Sequence, residues 1–372
     1  MQNSLVPEGF NDDVSEQART EHKYKNIIIN HFQLHGYELV KTPLIEFENQ
    51  DNVSNSFKIK VKKGEKNLII RDDITLQITR LSSARLLKKA RPLKLCYYGE
   101  VVRKKGSMLR PERQFLQIGA ECIGASSNDV DVEMIELAYS VLSLVGIKDI
   151  SFEISSKIFL DKLYKSLSSY KQFERIKELI RLKDLDGALN LIDKQHHKYL
   201  RDIFLCTGNY FDKKNELDRL KIDSSNTLEI ENIKHIIETF SLNNKKAKIF
   251  LDFSEVDDKN YHNSIRFGIF ADNVRGEIAR GGRYIANNQA NFEKATGFTC
   301  YMDTIIRASS SKEQNKKIMI PFSSSTKKKK QLIKQGYIIL THFDNKENIE
   351  KRAKEQNCQF YFENNKIKSL EK

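Results

Sequence analysis

The stretch 95–124, LCYYGEVVRKKGSMLRPERQFLQIGAECIG, carries the residue types with the clearest chemical use. Gln117, Gly119 and Glu121 fall on alternate positions of a strand-like run from Arg113 to Gly124. Alternate residues of a strand share one face, so an amide and a carboxylate stand on one floor with a glycine between them. The spacing predicts that this glycine leaves space between the two polar groups. A basic loop with a single proline, Pro111, precedes the run. A polar floor beside a basic loop suits a small charged ligand, and the basic loop makes a nucleotide-handling site one reading of it.

Other reactive residue types point to less. Cys96, Cys122, Cys206, Cys300 and Cys358 are far apart and form no CxxC pair. Reduced thiols are expected, with neither a disulfide framework nor a metal site. His31 and His35 lie four apart on a predicted helix without a third ligand, and His196 and His197 are adjacent and cannot face one way. No metal and no cofactor are expected. The chain carries 63 Lys and Arg against 50 Asp and Glu, a net charge of +13 that would suit a nucleic-acid partner. The lysines are scattered, however, and only TKKKK at 326–330 forms a block, so a solvated surface is the expectation and that block reads as the exposed start of a helix.

These residues must be held by a folded frame, and 372 residues with 39% hydrophobic and 30% charged side chains are enough for two or three domains. No run has the length of a membrane helix, and the polar, acidic N-terminal segment has no apolar core, so a cytoplasmic chain without a secretory leader is expected. Residues 14–34 have helical spacing, closed by Gly36. YELVKTPLIEF reads as a strand interrupted at Pro43, and FKIKVKKGEKNLIIR as a hairpin. A helix over ITLQITRLSSARLL, the long hairpin quoted above and a helix at 129–146 follow. Residues 157–243 are poor in glycine and helical in period, a helical insertion. Strand texture returns at AKIFLDFSEV, SIRFGIFAD, VRGEIARGGRY and GFTCYMDTIIR, the last running into a helix. SSSKEQN at 309–315 has linker composition, and 316–372 reads as a small α/β unit. The expected class is α+β: an antiparallel sheet with helices on one face over 1–308, interrupted by the insertion, then the C-terminal unit.

In this order the motifs resemble class II aminoacyl-tRNA synthetases, specifically the histidyl-tRNA synthetase branch. PEGFNDD at 7–13 is similar to that branch's opening, and GYELVKTPLIE to motif 1, whose proline, here Pro43, lies at the family's dimer interface. RDDITLQITR resembles the loop that holds the histidine amino group, and the hairpin resembles motif 2. DDKNYHNSIRF and GGRY resemble the two histidine-specific motifs, and GFTCYMDTIIR resembles motif 3. The resemblance implies a histidine site made by Asp73, Thr75, Gln117, Glu121, Tyr261, His262 and Tyr284, with His262 where the family has tyrosine. Carboxylates suit the α-amino group, and Tyr or Gln suits the imidazole.

The nucleotide half departs from the family. Arg103 matches the motif 2 arginine, but Pro111 stands at the loop-arginine position, with Arg110 beside it. Asp257 stands where the branch has its catalytic arginine. Thr304 stands where motif 3 has its arginine, with Arg307 one helical turn on. Removing one preorganised donor typically costs two to three decades in rate, so little adenylate formation is expected and no catalytic residue is assigned. The C-terminal unit is smaller than the family's anticodon-binding domain, so tRNA is not an expected partner. This combination resembles the regulatory subunit of ATP phosphoribosyltransferase, which binds L-histidine and assembles with a short-form catalytic subunit in histidine biosynthesis. A divergent histidyl-tRNA synthetase is the alternative.

Overall fold

The computed structural model describes residues 5–48, 55–254, 262–288, 291–309, 316–344 and 347–370. Helix α1 (Glu16–Leu34) buries Tyr24, Ile28, Ile29 and Phe32 on one stripe. It stops where Gly36 adopts φ 83°, a left-handed conformation that glycine takes without steric cost. The segment around Pro43 then divides into β1 (Glu38–Val40) and β2 (Ile45–Phe47). These two pieces enter different sheets, because the ring that removes a ladder donor also turns the chain. β3 (Phe57–Ile59) and β4 (Leu68–Ile70) pair antiparallel with Phe57 opposite Ile70, the predicted hairpin. With β2 they make a small three-stranded sheet, and α2 (Thr75–Ala84) follows it.

The long hairpin is β5 (Leu93–Val102) and β6 (Gln114–Ile123), backed by α1, and α3 (Asp129–Leu144) follows it. β7 (Ile150–Ser156) has no counterpart in the sequence reading, although Ile150, Phe152 and Ile154 alternate inward along it. Six helices occupy the next segment: α4 (Ile158–Leu167), α5 (Phe173–Arg181), α6 (Leu185–Leu189), α7 (Lys194–Leu205), α8 (Tyr210–Leu217) and α9 (Ser224–Asn243). A two-residue strand, β8 (Gly208–Asn209), sits among them and returns to the sheet. β9 (Lys248–Leu251), β10 (His262–Ala271), β11 (Ala279–Asn288) and β12 (Asn291–Tyr301) complete the sheet, and α10 (Met302–Ala308) runs on from β12.

Among the described residues the large sheet has nine strands in the order β1-β5-β6-β12-β11-β10-β7-β9-β8. Its centre is antiparallel, as expected, while β1 with β5 and β7 with β9 pair parallel, which makes it a mixed sheet. The larger apolar core lies on the face covered by α1, α3 and the helices of the 157–243 segment. The second core, with Ile74, Ile78, Leu95, Tyr97, Phe115, Tyr284 and Tyr301, lies on the other face. Helices are therefore not confined to one face: Ile74 and Ile78 bring α2 across the second one.

The chain divides into two compact units, Met1–Ser310 and Ser311–Lys372. The second holds β13 (Lys316–Pro321), α11 (Thr326–Lys334), β14 (Tyr337–His342), α12 (Ile349–Glu355), β15 (Phe360–Glu363) and β16 (Lys366–Ser369). Its sheet order is β14-β13-β15-β16, with small apolar clusters around Met319 and Ile318. The lysine block starts α11, and Ser325 caps it by accepting from the Lys328 amide.

Candidate functional site

The predicted floor of β6 is present on the second face of the sheet. Gln117 and Glu121 are both essentially buried. Asp73, just before α2, accepts from the Thr75 amide at 2.8 Å, a local turn that fixes its carboxylate. Its other oxygen accepts from Gln117 Nε2 at 3.1 Å, while Gln117 Oε1 accepts from the Ile74 amide at 3.1 Å. One glutamine thus ties the start of α2 to the sheet. Tyr284, on β11, donates to Glu121 Oε2 at 2.9 Å.

Two further residues belong to this cluster and were missed in the sequence. The Tyr97 hydroxyl lies 3.1 Å from Thr75 Oγ1, donates to Glu121 Oε1 at 3.3 Å and lies 2.6 Å from Thr299 Oγ1. Tyr97, Gly119 and Thr299 are register partners across β5, β6 and β12, which is why their side chains meet. The space beside Gly119 is not open to a ligand, contrary to the sequence expectation. A Cβ there would stand 2.4 Å from the Tyr97 ring and hydroxyl, so the glycine admits the tyrosine. Gly297 plays the same part for Glu121, whose Oε2 would lie 1.7 Å from an added Cβ. A tyrosine whose strand partner is glycine was the available signal, but register is invisible until the strands pair.

Burial pushes the Glu121 carboxyl up to about 8, and the negative Asp73 adds to that. The hydroxyls of Tyr284, Thr75 and Tyr97 oppose it. Burial also holds the Tyr97 phenol well above its ordinary value. The arrangement is one of two carboxylates, an amide and several hydroxyls, buried at Glu121 and Gln117 and partly exposed at Asp73 and Thr75, suited to a ligand bearing a cationic amine and a donor–acceptor ring. Of the remaining predicted residues, His262 lies on β10 in register with Tyr284, and Tyr261 and Asp257 lie outside the described residues.

The nucleotide half is brought together differently. The backbone of Arg103 pairs with that of Ser56 in an isolated antiparallel β-bridge, and its guanidinium lies 4.9 Å from the Phe115 ring. Arg110 folds inward, 3.7 Å from the Tyr301 ring, pairs with Asp303 at 3.3 Å and donates to Thr304 Oγ1 at 3.4 Å. Thr304 is buried and also accepts from Arg307 at 3.4 Å. Arg307 pairs with Glu112. The two arginines adjacent to the family's positions thus converge on Thr304, each already holding a carboxylate of its own chain. His31 and His35 bond to Ser140 Oγ and to the His31 carbonyl respectively. Among the described residues no group of three or more His, Cys, Asp or Glu is placed to hold a metal, all five cysteines are buried and free, and no helix is long and apolar enough to cross a membrane.

Comparison with known proteins agrees with this frame. The sequence model of the family described as histidyl-tRNA synthetase matches residues 9–305. The chain is 27% identical over 376 residues to the ATP phosphoribosyltransferase regulatory subunit of Rhodospirillum centenum, covering 99% of this chain and 97% of that protein. It is 26% identical to the same-named subunit of Paramagnetospirillum magneticum, with 95% of each covered. A crystal structure titled as an ATP phosphoribosyltransferase regulatory subunit/histidyl-tRNA synthetase from Bacillus halodurans superposes with TM-score 0.78 at 19% identity, over 96% of this chain and 97% of that one. Histidyl-tRNA synthetase from Nostoc sp. PCC 7120 superposes with TM-score 0.76 at 16% identity, over 96% and 91%, a likeness of fold. With its ordered motifs and with most of its length matched by the family's sequence model, the chain belongs to the histidyl-tRNA synthetase family.

Proposed function

We propose that the chain is a non-catalytic regulatory subunit of ATP phosphoribosyltransferase that binds L-histidine for feedback control of the first step of histidine biosynthesis. One contrast carries this reading. Asp73, Thr75, Gln117, Tyr284 and Glu121 are joined in one polar cluster, whereas Arg110 and Arg307 beside Thr304 are spent on Asp303 and Glu112. Histidine's amino group would lie between Asp73 and Glu121, and its ring among Tyr284, Gln117, Thr75, Tyr261 and His262. The partner is a short-form catalytic subunit in the cytoplasm, and tRNA and membranes play no part. Feedback requires that histidine bind the inhibited state of the complex more tightly than the active one, and the coupling is reciprocal.

A homodimer through the Pro43 segment is part of the proposal. Arg71 pins that segment by donating to the Thr42 carbonyl at 3.0 Å and the Pro43 carbonyl at 3.4 Å. Leu39, Leu44, Ile45 and Phe47 leave an exposed apolar strip along it, of the kind that marks interfaces.

Calorimetry with L-histidine tests the sensor directly. Saturable binding is expected, and it should be abolished in Glu121→Gln, which keeps the shape of the side chain. Silence up to about 1 mM, or about −4 kcal/mol, removes the reading. Histidine-dependent ATP–pyrophosphate exchange tests the alternative that the family's own name favours. No exchange is expected, and ordinary synthetase rates would identify a divergent histidyl-tRNA synthetase instead.

A further inference from the structure

Glu121 must be held in two protonation states by the same neighbours. Burial, with the negative Asp73 adding to it, favours the neutral acid when no ligand is bound, whereas an ammonium beside it calls for the carboxylate. Among the described residues, the groups that face Glu121 are Asp73 ahead of α2, Thr75 on α2, Tyr97 on β5 and Tyr284 on β11, and none of these is a cation. On β10, His262 is the register partner of Tyr284. Hydroxyls therefore have to meet the change of state.

The number of hydrogens decides how they do so. A carboxylate only accepts, a neutral carboxyl also donates once, and a hydroxyl gives one hydrogen while accepting others. With Glu121 ionised, Tyr284 donates to Oε2 at 2.9 Å and Tyr97 to Oε1 at 3.3 Å. The single phenol hydrogen of Tyr97 is then used, so Thr299 at 2.6 Å and Thr75 at 3.1 Å both donate into its oxygen. With Glu121 neutral and donating to Tyr97, the phenol hydrogen turns to a threonine, and Thr299 stands nearer. Thr299 then accepts where it had donated, which a hydroxyl alone can do. Its place is fixed: Thr299 is buried in register with Gly119, and Gly119 is what lets Tyr97 lean over to it.

We infer that Thr299 is a positioning residue of the proposed histidine site, acting through Tyr97: its hydroxyl reverses from acceptor to donor as Glu121 passes from acid to carboxylate on the arrival of a ligand ammonium. Donation into the Tyr97 oxygen strengthens the phenol as a donor, so Thr299 favours the carboxylate. The proton that Glu121 gives up goes to solvent. The inference rests on the histidine reading for the identity of the ligand, while the hydroxyl relay can be read without one.

Infrared titration of the full, ligand-free chain reads the relay. The Glu121 band is the protonated-carboxyl absorption missing in Glu121→Gln. Thr299→Val keeps the shape and removes the hydroxyl, so the midpoint of that band should move to higher pH. The ratio of acid to carboxylate at pH 7 should rise about three- to tenfold, the size of one buried hydrogen bond. Thr299→Ser should restore the native midpoint and Tyr97→Phe should move it at least as far, with circular dichroism confirming that each variant is folded. Calorimetry with L-histidine at several pH values reads the ligand. Thr299→Val should bind more weakly by a similar factor at pH 7, and the shortfall should close as pH rises, whereas a merely structural defect would weaken binding equally at every pH. The inference is overturned if folded Thr299→Val titrates at the native midpoint, or if its loss of affinity is the same at every pH. A shifted midpoint in a chain that binds no histidine would uphold the relay and remove the histidine reading instead.

Discussion

Glu121 is the residue on which the proposed sensor turns, because its protonation state is set by the fold. Burial raises its carboxyl from 4.5 to about 8, so it stands as a neutral acid at pH 7 without ligand. A carboxyl raised in the folded state contributes stability that is fully present below its unfolded value and is lost as pH rises through the folded one. The ligand-free protein should therefore lose stability between about pH 5 and pH 8, by up to a few kcal/mol. Glu21, pushed up to about 7 chiefly by its burial and next by Glu100, acts in the same direction. Melting curves across that range check this: the slope should shrink in Glu121→Gln without vanishing, and an unchanged slope would show that Glu121 titrates normally. Histidine's ammonium beside Glu121 should then draw it to the carboxylate. Binding at pH 7 should release about one proton, read by calorimetry in buffers of different ionisation enthalpy; a heat independent of the buffer would show that Glu121 does not titrate on binding. That Gln117 and Glu121 share a face was legible in the alternation alone. Tyr97 and Thr299 were not, because their approach depends on cross-strand register.

At the scale of elements, glycines on β6 and β12 determine how far side chains can lean across the sheet. Tyr97 crosses Gly119 to reach Thr299, and Glu121 crosses Gly297 to reach Tyr284. Gly119→Ala puts a methyl within 2.4 Å of the Tyr97 hydroxyl and 2.5 Å of the Phe298 carbonyl. Backbone on one side leaves little room to yield, so overpacking should cost about 1–3 kcal/mol of stability. The displaced Tyr97 should also weaken histidine binding. Denaturant unfolding and calorimetry on the same variant separate the two effects. A variant as stable as the native chain, with unchanged affinity, would show that Tyr97 has another resting place. The missed strand β7 belongs to this scale too. Its alternation is short, and what makes it central is its pairing with β10 and β9, a long-range fact.

At the scale of the molecule, the two compact units have separate sheets and separate apolar clusters. The proposed histidine site lies wholly in the first. Ligand that binds only the folded state stabilises by mass action, about 2.7 kcal/mol at a hundredfold excess over Kd. Scanning calorimetry of the full chain should therefore show two transitions. Histidine should raise the transition of the Met1–Ser310 unit by several degrees and leave that of the smaller unit in place. A single transition that moves as a whole would show that the units unfold together.

The sequence by itself determined the order of the helices and of the longer strands apart from β7, the α+β class and the polar floor of β6. Each rests on local pattern: period, turn residues and ordered motifs. It also showed that Pro111 and Thr304 stand where arginines were expected. Only the tertiary structure decided which groups touch. Register across β5, β6, β12 and β11 gathered Tyr97, Thr299 and Tyr284 around Glu121. The turn from β12 into α10 set Asp303 against Arg110, and Glu112 came to Arg307 from nearly two hundred positions away. Such pairs depend on separations in space that a one-dimensional pattern does not encode, so the missing arginines were legible while the acids occupying their neighbours were not.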